Sequence, residues 1–139
     1  MDLGLCMPVP RRGFFQRHYS MDPHVILALF HILIVVPCLL FVAFRRAANE
    51  EWTYWTVFGL GIFILAYHGI KAAYRLIKGS SAAWINLFHA LLVAPLLIYI
   101  GYFGKKTERA AYELLAIAAF GALGYHTYNL MLQARVDDD

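Results

Sequence analysis

Four long runs of apolar residues, separated by short polar links, make up most of the chain. A helix that crosses a membrane needs about 20 mostly apolar residues, and each run is close to that length. Because lipid offers backbone amides no hydrogen-bond partner, such runs are expected to be helical. The runs are Val25–Phe44, Trp52–Ile70, Ala82–Phe103 and Ala110–Leu132. The pattern predicts an all-α integral membrane protein built as a four-helix bundle.

The links between the runs are short, and two of them contain glycine. They are Arg45–Glu51, Gly79–Ser81 and Gly104–Arg109. Short links predict that consecutive helices lie antiparallel and side by side. Four spans place both termini on the same side of the membrane. Basic residues are slightly more numerous on that side, which favours a cytoplasmic or interior location for the termini.

Composition agrees with a membrane protein. Of 139 residues, 61% are hydrophobic and 15% are charged, and the mean hydropathy is +0.58. Soluble domains carry about 25% charged residues, and disordered chains are poor in aromatic residues, which make up 16% here. The formal charge of +3 is not gathered into a basic face, so no nucleic-acid partner is predicted. The predicted partners are the lipid bilayer and proteins, or a second copy, that contact the helix faces.

Both ends of the chain differ from the apolar runs. Residues 1–22 contain prolines and arginines without a period, and they are predicted to form an irregular basic tail. Met21 is an alternative start, which would leave residues 1–20 outside the mature protein. Residues 136–139 are predicted to be a short acidic tail.

The second half of the chain repeats the first. When the sequence is shifted by 58 residues, from position 31 to 89, the motif F-H-x-L-x-V-x-P-x-L of the first span matches the third. The matched residues include His, Pro and Tyr as well as aliphatic residues, so the pattern predicts a tandem duplication. Residues 23–78 and 79–135 are the two predicted hairpin repeats. Two spans preserve direction, so the repeats are parallel-related, about an axis along the membrane normal.

Each predicted span carries one histidine. The four are His31, His68, His89 and His126. The midpoint of the first two falls in the first link, and the midpoint of the last two falls in the third link. Residues equally far from a helical turn lie at equal depth, so the four are predicted to share one level nearer the termini. Helix rotation is not fixed by this argument, which leaves open whether the side chains converge.

Three interpretations of this histidine layer are open. In the first, each imidazole hydrogen-bonds a neighbouring Tyr, Asn or backbone carbonyl and ties the helices together. The nearby polar side chains are Tyr67, Asn86, Tyr125 and Asn129. In the second, the imidazoles ligate haem or a transition metal, since neutral imidazole binds both, although no spacing identifies a particular metal. In the third, they relay protons or ions, although the far half of the spans offers few further polar groups.

The remaining motifs indicate structure rather than catalysis. Pro37 and Pro95 lie at matched positions near mid-span and are predicted to kink their helices. The sequence has no phosphate-binding loop, nucleophile–base pair or zinc-protease motif. It names no catalytic residue, and an enzyme is the less favoured class. The favoured function is a non-catalytic membrane scaffold or interaction subunit.

The repeated F-H-x5-P motif on a compact four-span chain resembles small uncharacterised multi-span membrane proteins of large nucleocytoplasmic DNA viruses. The resemblance covers residues 24–134. It implies a component of a virion membrane or of a host-derived organelle membrane, and it carries over no catalytic residues.

Overall fold

The computed structural model describes residues 22–138, and this part of the chain is entirely helical apart from short turns. It contains four helices, α1 (Pro23–Ala48), α2 (Glu51–Ile77), α3 (Ala83–Lys106) and α4 (Arg109–Asp138). Each predicted span lies within one of them, which confirms the all-α class. The predicted basic tail lies outside the described residues except for Asp22, whose carboxylate accepts a hydrogen bond from the His24 backbone at the start of α1. Helix α4 continues through most of the predicted acidic tail.

Three of the helices, α1, α2 and α3, are long and apolar enough to cross a membrane. Helix α4 is the longest, at 30 residues, but it is more polar. Its apolar residues are interrupted by Glu113, His126, Asn129 and Gln133.

Helices α1 and α3 share an unusual internal structure. In α1, a π-helical segment, His31–Val35, separates two α-helical segments, and in α3 the segment His89–Val93 does the same. Pro37 and Pro95 each follow two residues after the π-helical segment. Because proline has no backbone N–H, a carbonyl in the preceding turn loses its α-helical partner, and a wider turn accommodates the loss. At each proline, where a kink was predicted, the structure has a π-turn.

Helix packing agrees with the short links for α2 and α3, which the Gly79–Ser81 link joins, but the other close pair, α1 with α4, is not consecutive. Helix α2 packs along α3, and α1 packs along α4. At the α2–α3 crossing, a Cβ atom added to Gly101 would lie 2.6 Å from the Phe58 backbone nitrogen, and one added to Gly61 would lie 2.9 Å from the Ile98 nitrogen. Absent side chains thus allow the two backbones to approach closely in the hairpin that the Gly79–Ser81 link joins.

The large buried side chains lie in the half of the structure that contains the turns at 46–50 and 104–108, which we call the link end. The cluster includes Leu39, Val42, Tyr54, Val57, Leu97, Ile100, Tyr112 and Leu115. Residues of all four helices contribute to it, so the two helix pairs are joined at this end.

Two buried tyrosines tie down the turns at the link end. Tyr54 Oη donates to the carbonyl of Arg46 at 2.9 Å, and Tyr112 Oη lies 3.3 Å from the carbonyl of Gly104 and 3.4 Å from Tyr54 Oη. Arg46 and Gly104 are 58 positions apart, and both have positive φ, 49° and 55°. Two turns of equal geometry are therefore held by two matched tyrosines.

We expect Gly101→Ala to destabilise the fold by about 1–3 kcal/mol, because the new methyl group meets the Phe58 backbone, which cannot rotate away. Gly124→Ala is the matched control, since a Cβ at that position has no neighbour within 4 Å. Reversible unfolding of the detergent-purified chain would measure both. Equal stability of the two variants would contradict the close α2–α3 crossing.

Arg46→Gly is expected to stabilise the chain by roughly 0.5–1 kcal/mol, because a side chain at φ 49° is strained and glycine is not. Only the backbone carbonyl of Arg46 is used by Tyr54, so that hydrogen bond is retained. The reciprocal change, Gly104→Ala, is expected to cost a similar amount. The same unfolding measurement tests both changes, and a loss of stability in Arg46→Gly would contradict the turn geometry.

Candidate functional site

The structure brings the four predicted histidines together. The ring centroids of His31 and His126 lie 4.4 Å apart at an interplanar angle of 25°, and those of His68 and His89 lie 4.4 Å apart at 13°. Each stacked pair joins the two helices that pack most closely, α1 with α4 and α2 with α3. We call these four side chains the histidine cluster.

Hydrogen bonds fix the orientation of three of the four imidazoles. His31 Nδ1 donates to the Leu27 carbonyl at 2.8 Å, and His89 Nδ1 donates to the Ile85 carbonyl at 2.7 Å. His68 Nδ1 lies 3.1 Å from the amide oxygen of Asn86, which can only accept. These partners require the proton on Nδ1. Within residues 22–138, Nε2 of these three rings has no hydrogen-bond partner, so its lone pair is available.

The fourth histidine lacks the side-chain partner that its matched residue has. His68 is bonded to Asn86, which is 2% exposed. The residue that matches Asn86 under the 58-residue shift is Ala28, which is also buried. It lies on α1, the helix that packs against His126. A methyl group cannot accept a hydrogen bond. The two stacked pairs are therefore alike in ring geometry and different in their polar support.

Each histidine has an aromatic residue directly before it, and the two rings meet edge to face. The four neighbouring pairs are Phe30–His31, Tyr67–His68, Phe88–His89 and Tyr125–His126, with centroid separations of 5.0–5.8 Å. These contacts fix the imidazole planes from a second direction.

The polar side chains expected to support the histidines play different parts. Asn86 hydrogen-bonds His68, as the interpretation of the histidines as a hydrogen-bonded structural layer requires. Tyr67 and Tyr125 contact their histidines through ring edges, and the Tyr67 hydroxyl accepts from Lys71 Nζ at 2.9 Å. Asn129 makes no side-chain hydrogen bond within the described residues. The backbone acceptors of His31 and His89 are of the carbonyl type that the first interpretation expected, although each lies four residues earlier on the same helix and not on a neighbouring one.

The cluster is half-buried, and the buried residues around it are small. Within six residues of a cluster histidine, the buried aliphatic residues are five alanines and two valines, Ala28, Val36, Ala72, Ala83, Ala90, Val93 and Ala94, whereas the larger core residues lie at the link end. Close backbone packing at this level is between the helices of one pair. The site therefore consists of two stacked imidazole pairs, each formed between the two helices of one helix pair, with small buried side chains nearby.

Among residues 22–138, no group of three or more His, Cys, Asp or Glu side chains is placed to hold a metal ion. A single four-nitrogen metal site, one form of the second interpretation, is thus not formed. Comparison of the chain with known proteins adds no family assignment, since no family model, curated protein or solved structure matches it.

We expect Asn86→Ala to destabilise the fold by about 1 kcal/mol, because the His68 N–H loses its buried acceptor. Asn129→Ala is the matched control, an amide on α4 without a hydrogen bond to lose in the described structure. Unfolding in detergent would compare the two variants. A cost no greater for Asn86→Ala than for the control would show that the His68 hydrogen bond contributes nothing.

Proposed function

We propose that the chain is a four-span integral membrane protein, made of two tandem hairpin repeats, that acts as a non-catalytic scaffold or interaction subunit. The observation that carries this proposal is the character of the exposed surface. Large apolar side chains are exposed along all four helices, including Leu33, Phe63, Leu91 and Ile117. In water such a surface would drive association, whereas in lipid it is solvated and remains available to the apolar faces of other membrane helices.

The placement of the polar groups supports the same proposal. Charged residues such as Arg45, Lys78, Lys105 and Arg109 lie at helix ends, where a membrane surface would solvate them. Other polar groups, such as Tyr54 and Thr107, are used to tie the chain to itself. Neither group forms the nucleophile–base arrangement that catalysis needs.

Matched local structure supports the two proposed repeats. The π-turns, the 3₁₀ turns and the tyrosine–carbonyl hydrogen bonds each occur twice, at positions 58 apart. Under the same shift, the α1–α4 packing corresponds to the α3–α2 packing. A pseudo-two-fold axis along the membrane normal would relate the halves, with both termini on one side.

The membrane that holds the protein is proposed from the sequence resemblance alone, as a virion or host-derived membrane. Proton conduction has less support than a scaffold role. The link end of the core is filled by aliphatic residues such as Leu39, Leu97 and Leu115, and a conduit would have to continue from the histidine cluster through them.

Photo-crosslinking within the membrane tests the scaffold role. A photoreactive residue at Leu33 or Leu91, exposed positions 58 residues apart, should capture a second copy or one defined membrane protein as a discrete adduct. The same residue at Leu97 or Leu115, which are 0% exposed, should give no intermolecular adduct. Lipid adducts alone at every exposed position would contradict a scaffold role.

A further inference from the structure

We propose that the histidine cluster is a haem site, in which one imidazole from each stacked pair ligates a single iron. The proposal rests on the four-helix membrane arrangement proposed above and goes beyond a purely structural role for the cluster. Its basis is the number of the imidazoles, their orientation and the small residues around them.

The number of ligands fits haem better than a bare ion. Structural zinc takes four protein ligands, and residues 22–138 hold no group of even three. In haem, the porphyrin already supplies four nitrogens, and the protein adds one or two axial ligands such as histidine. Two imidazoles from different helices therefore complete an iron site, although they would make an incomplete site for zinc.

Three of the imidazoles make the hydrogen bond that metal-binding histidines usually make. A histidine that binds a metal through one ring nitrogen normally donates the other ring N–H to a carbonyl or carboxylate oxygen. His31, His68 and His89 donate in this way through Nδ1. Nε2 is then the ligating nitrogen, and it competes with no protein partner among the described residues.

Stacking decides which imidazoles act together. Lone pairs lie in the ring planes, so two rings stacked face to face cannot both aim at one iron atom between them. The rings within each pair are only 25° and 13° from parallel. Opposed axial ligands must therefore come one from each pair, across the space between the two helix pairs.

The surroundings suit a flat apolar ring with acidic substituents. The buried side chains near the histidines are alanines and valines, which a porphyrin displaces more easily than the larger residues of the link end. Lys71 and Arg75 follow His68 by three and seven residues on the same face of α2, and Arg75 lies about 10 Å further towards the helix end. Lys71 now donates to the Tyr67 hydroxyl and Arg75 to the Ala82 carbonyl, and both would exchange these neutral acceptors for haem propionates. Helix α4 offers Asn129 and Gln133 at the same spacing from His126.

The test is a titration of the full chain, purified in detergent, with ferric protoporphyrin IX. We expect one equivalent to bind and to give the Soret and visible bands of six-coordinate, low-spin iron. His31→Gln/His126→Gln removes one stacked pair, and His68→Gln/His89→Gln removes the other. Each double variant should convert the bound iron to a five-coordinate form and raise Kd at least tenfold. His24→Gln, a change at an exposed histidine near the same end, should have no effect.

Two outcomes would overturn the proposal. One is a helical, monodisperse wild-type chain that binds the porphyrin without saturation, which would be partition into detergent. The other is a bound spectrum that neither double variant changes. Helix content, measured on the same sample, separates this failure from failure of the proposed bundle, in which the chain itself would not be folded.

Cavity variants keep the test decisive if a double variant does not fold. His89→Gly and His31→Gly each remove one imidazole, and free imidazole can enter the space and replace it. Restoration of the six-coordinate spectrum by added imidazole would support ligation. In a single variant the other imidazole of the same stacked pair can ligate in its place. Ligation by the cluster would be contradicted by a complex that is six-coordinate before imidazole is added when His31→Gly is combined with His126→Gly, and when His89→Gly is combined with His68→Gly.

Discussion

The missing N–H of two prolines is the constraint on which the rest of the structure depends. Pro37 and Pro95 cannot complete an α-helical ladder, and a π-turn precedes each of them. A π-turn adds one residue to a helical turn, which rotates the side chains before it by about 100° relative to those after it. Helices α1 and α3 can therefore direct aliphatic residues to the core at the link end while directing His31 and His89 to the histidine cluster.

The two ends of the structure do different things. At the link end, large aliphatic side chains and the Tyr54–Tyr112 contact hold all four helices together. At the histidine end, the helices pack in two pairs around small residues, and the imidazoles occupy the level between them. Because the packed link end fixes the directions of the helix axes, it can hold the histidines in position at the other end even though only small residues pack around them. This division favours a site whose occupant completes the packing, and it is the physical reason for proposing a planar ligand there.

Helix number, approximate helix bounds and the depth of the histidines could all be predicted from the sequence, because they depend on apolar run length and on equal distance from the turns. Convergence of the imidazoles could not. It depends on helix rotation, and runs that are apolar on every side, such as Val25–Phe44, carry little periodicity from which rotation can be read. Of the two helix pairs, α2–α3 follows from its short link, whereas the α1–α4 pair joins helices that are far apart in the chain and was not predicted. Closeness in sequence to the histidines predicted a hydrogen-bonding role for both Asn86 and Asn129. The structure gives this role to Asn86 but not to Asn129.

Departures from the 58-residue match separate the two histidine pairs chemically. Asn86 supports His68, whereas the matched Ala28 gives His126 no acceptor. Lys71 and Arg75 lie beyond His68, whereas uncharged side chains occupy the same spacing beyond His126. In a low-dielectric interior, an imidazole whose N–H is hydrogen-bonded is a stronger ligand than one without a partner. Both imidazoles of the α2–α3 pair are hydrogen-bonded, against only His31 of the α1–α4 pair, and the nearby positive charges belong to α2. A ligand held between the pairs would therefore have a defined orientation rather than two equivalent ones.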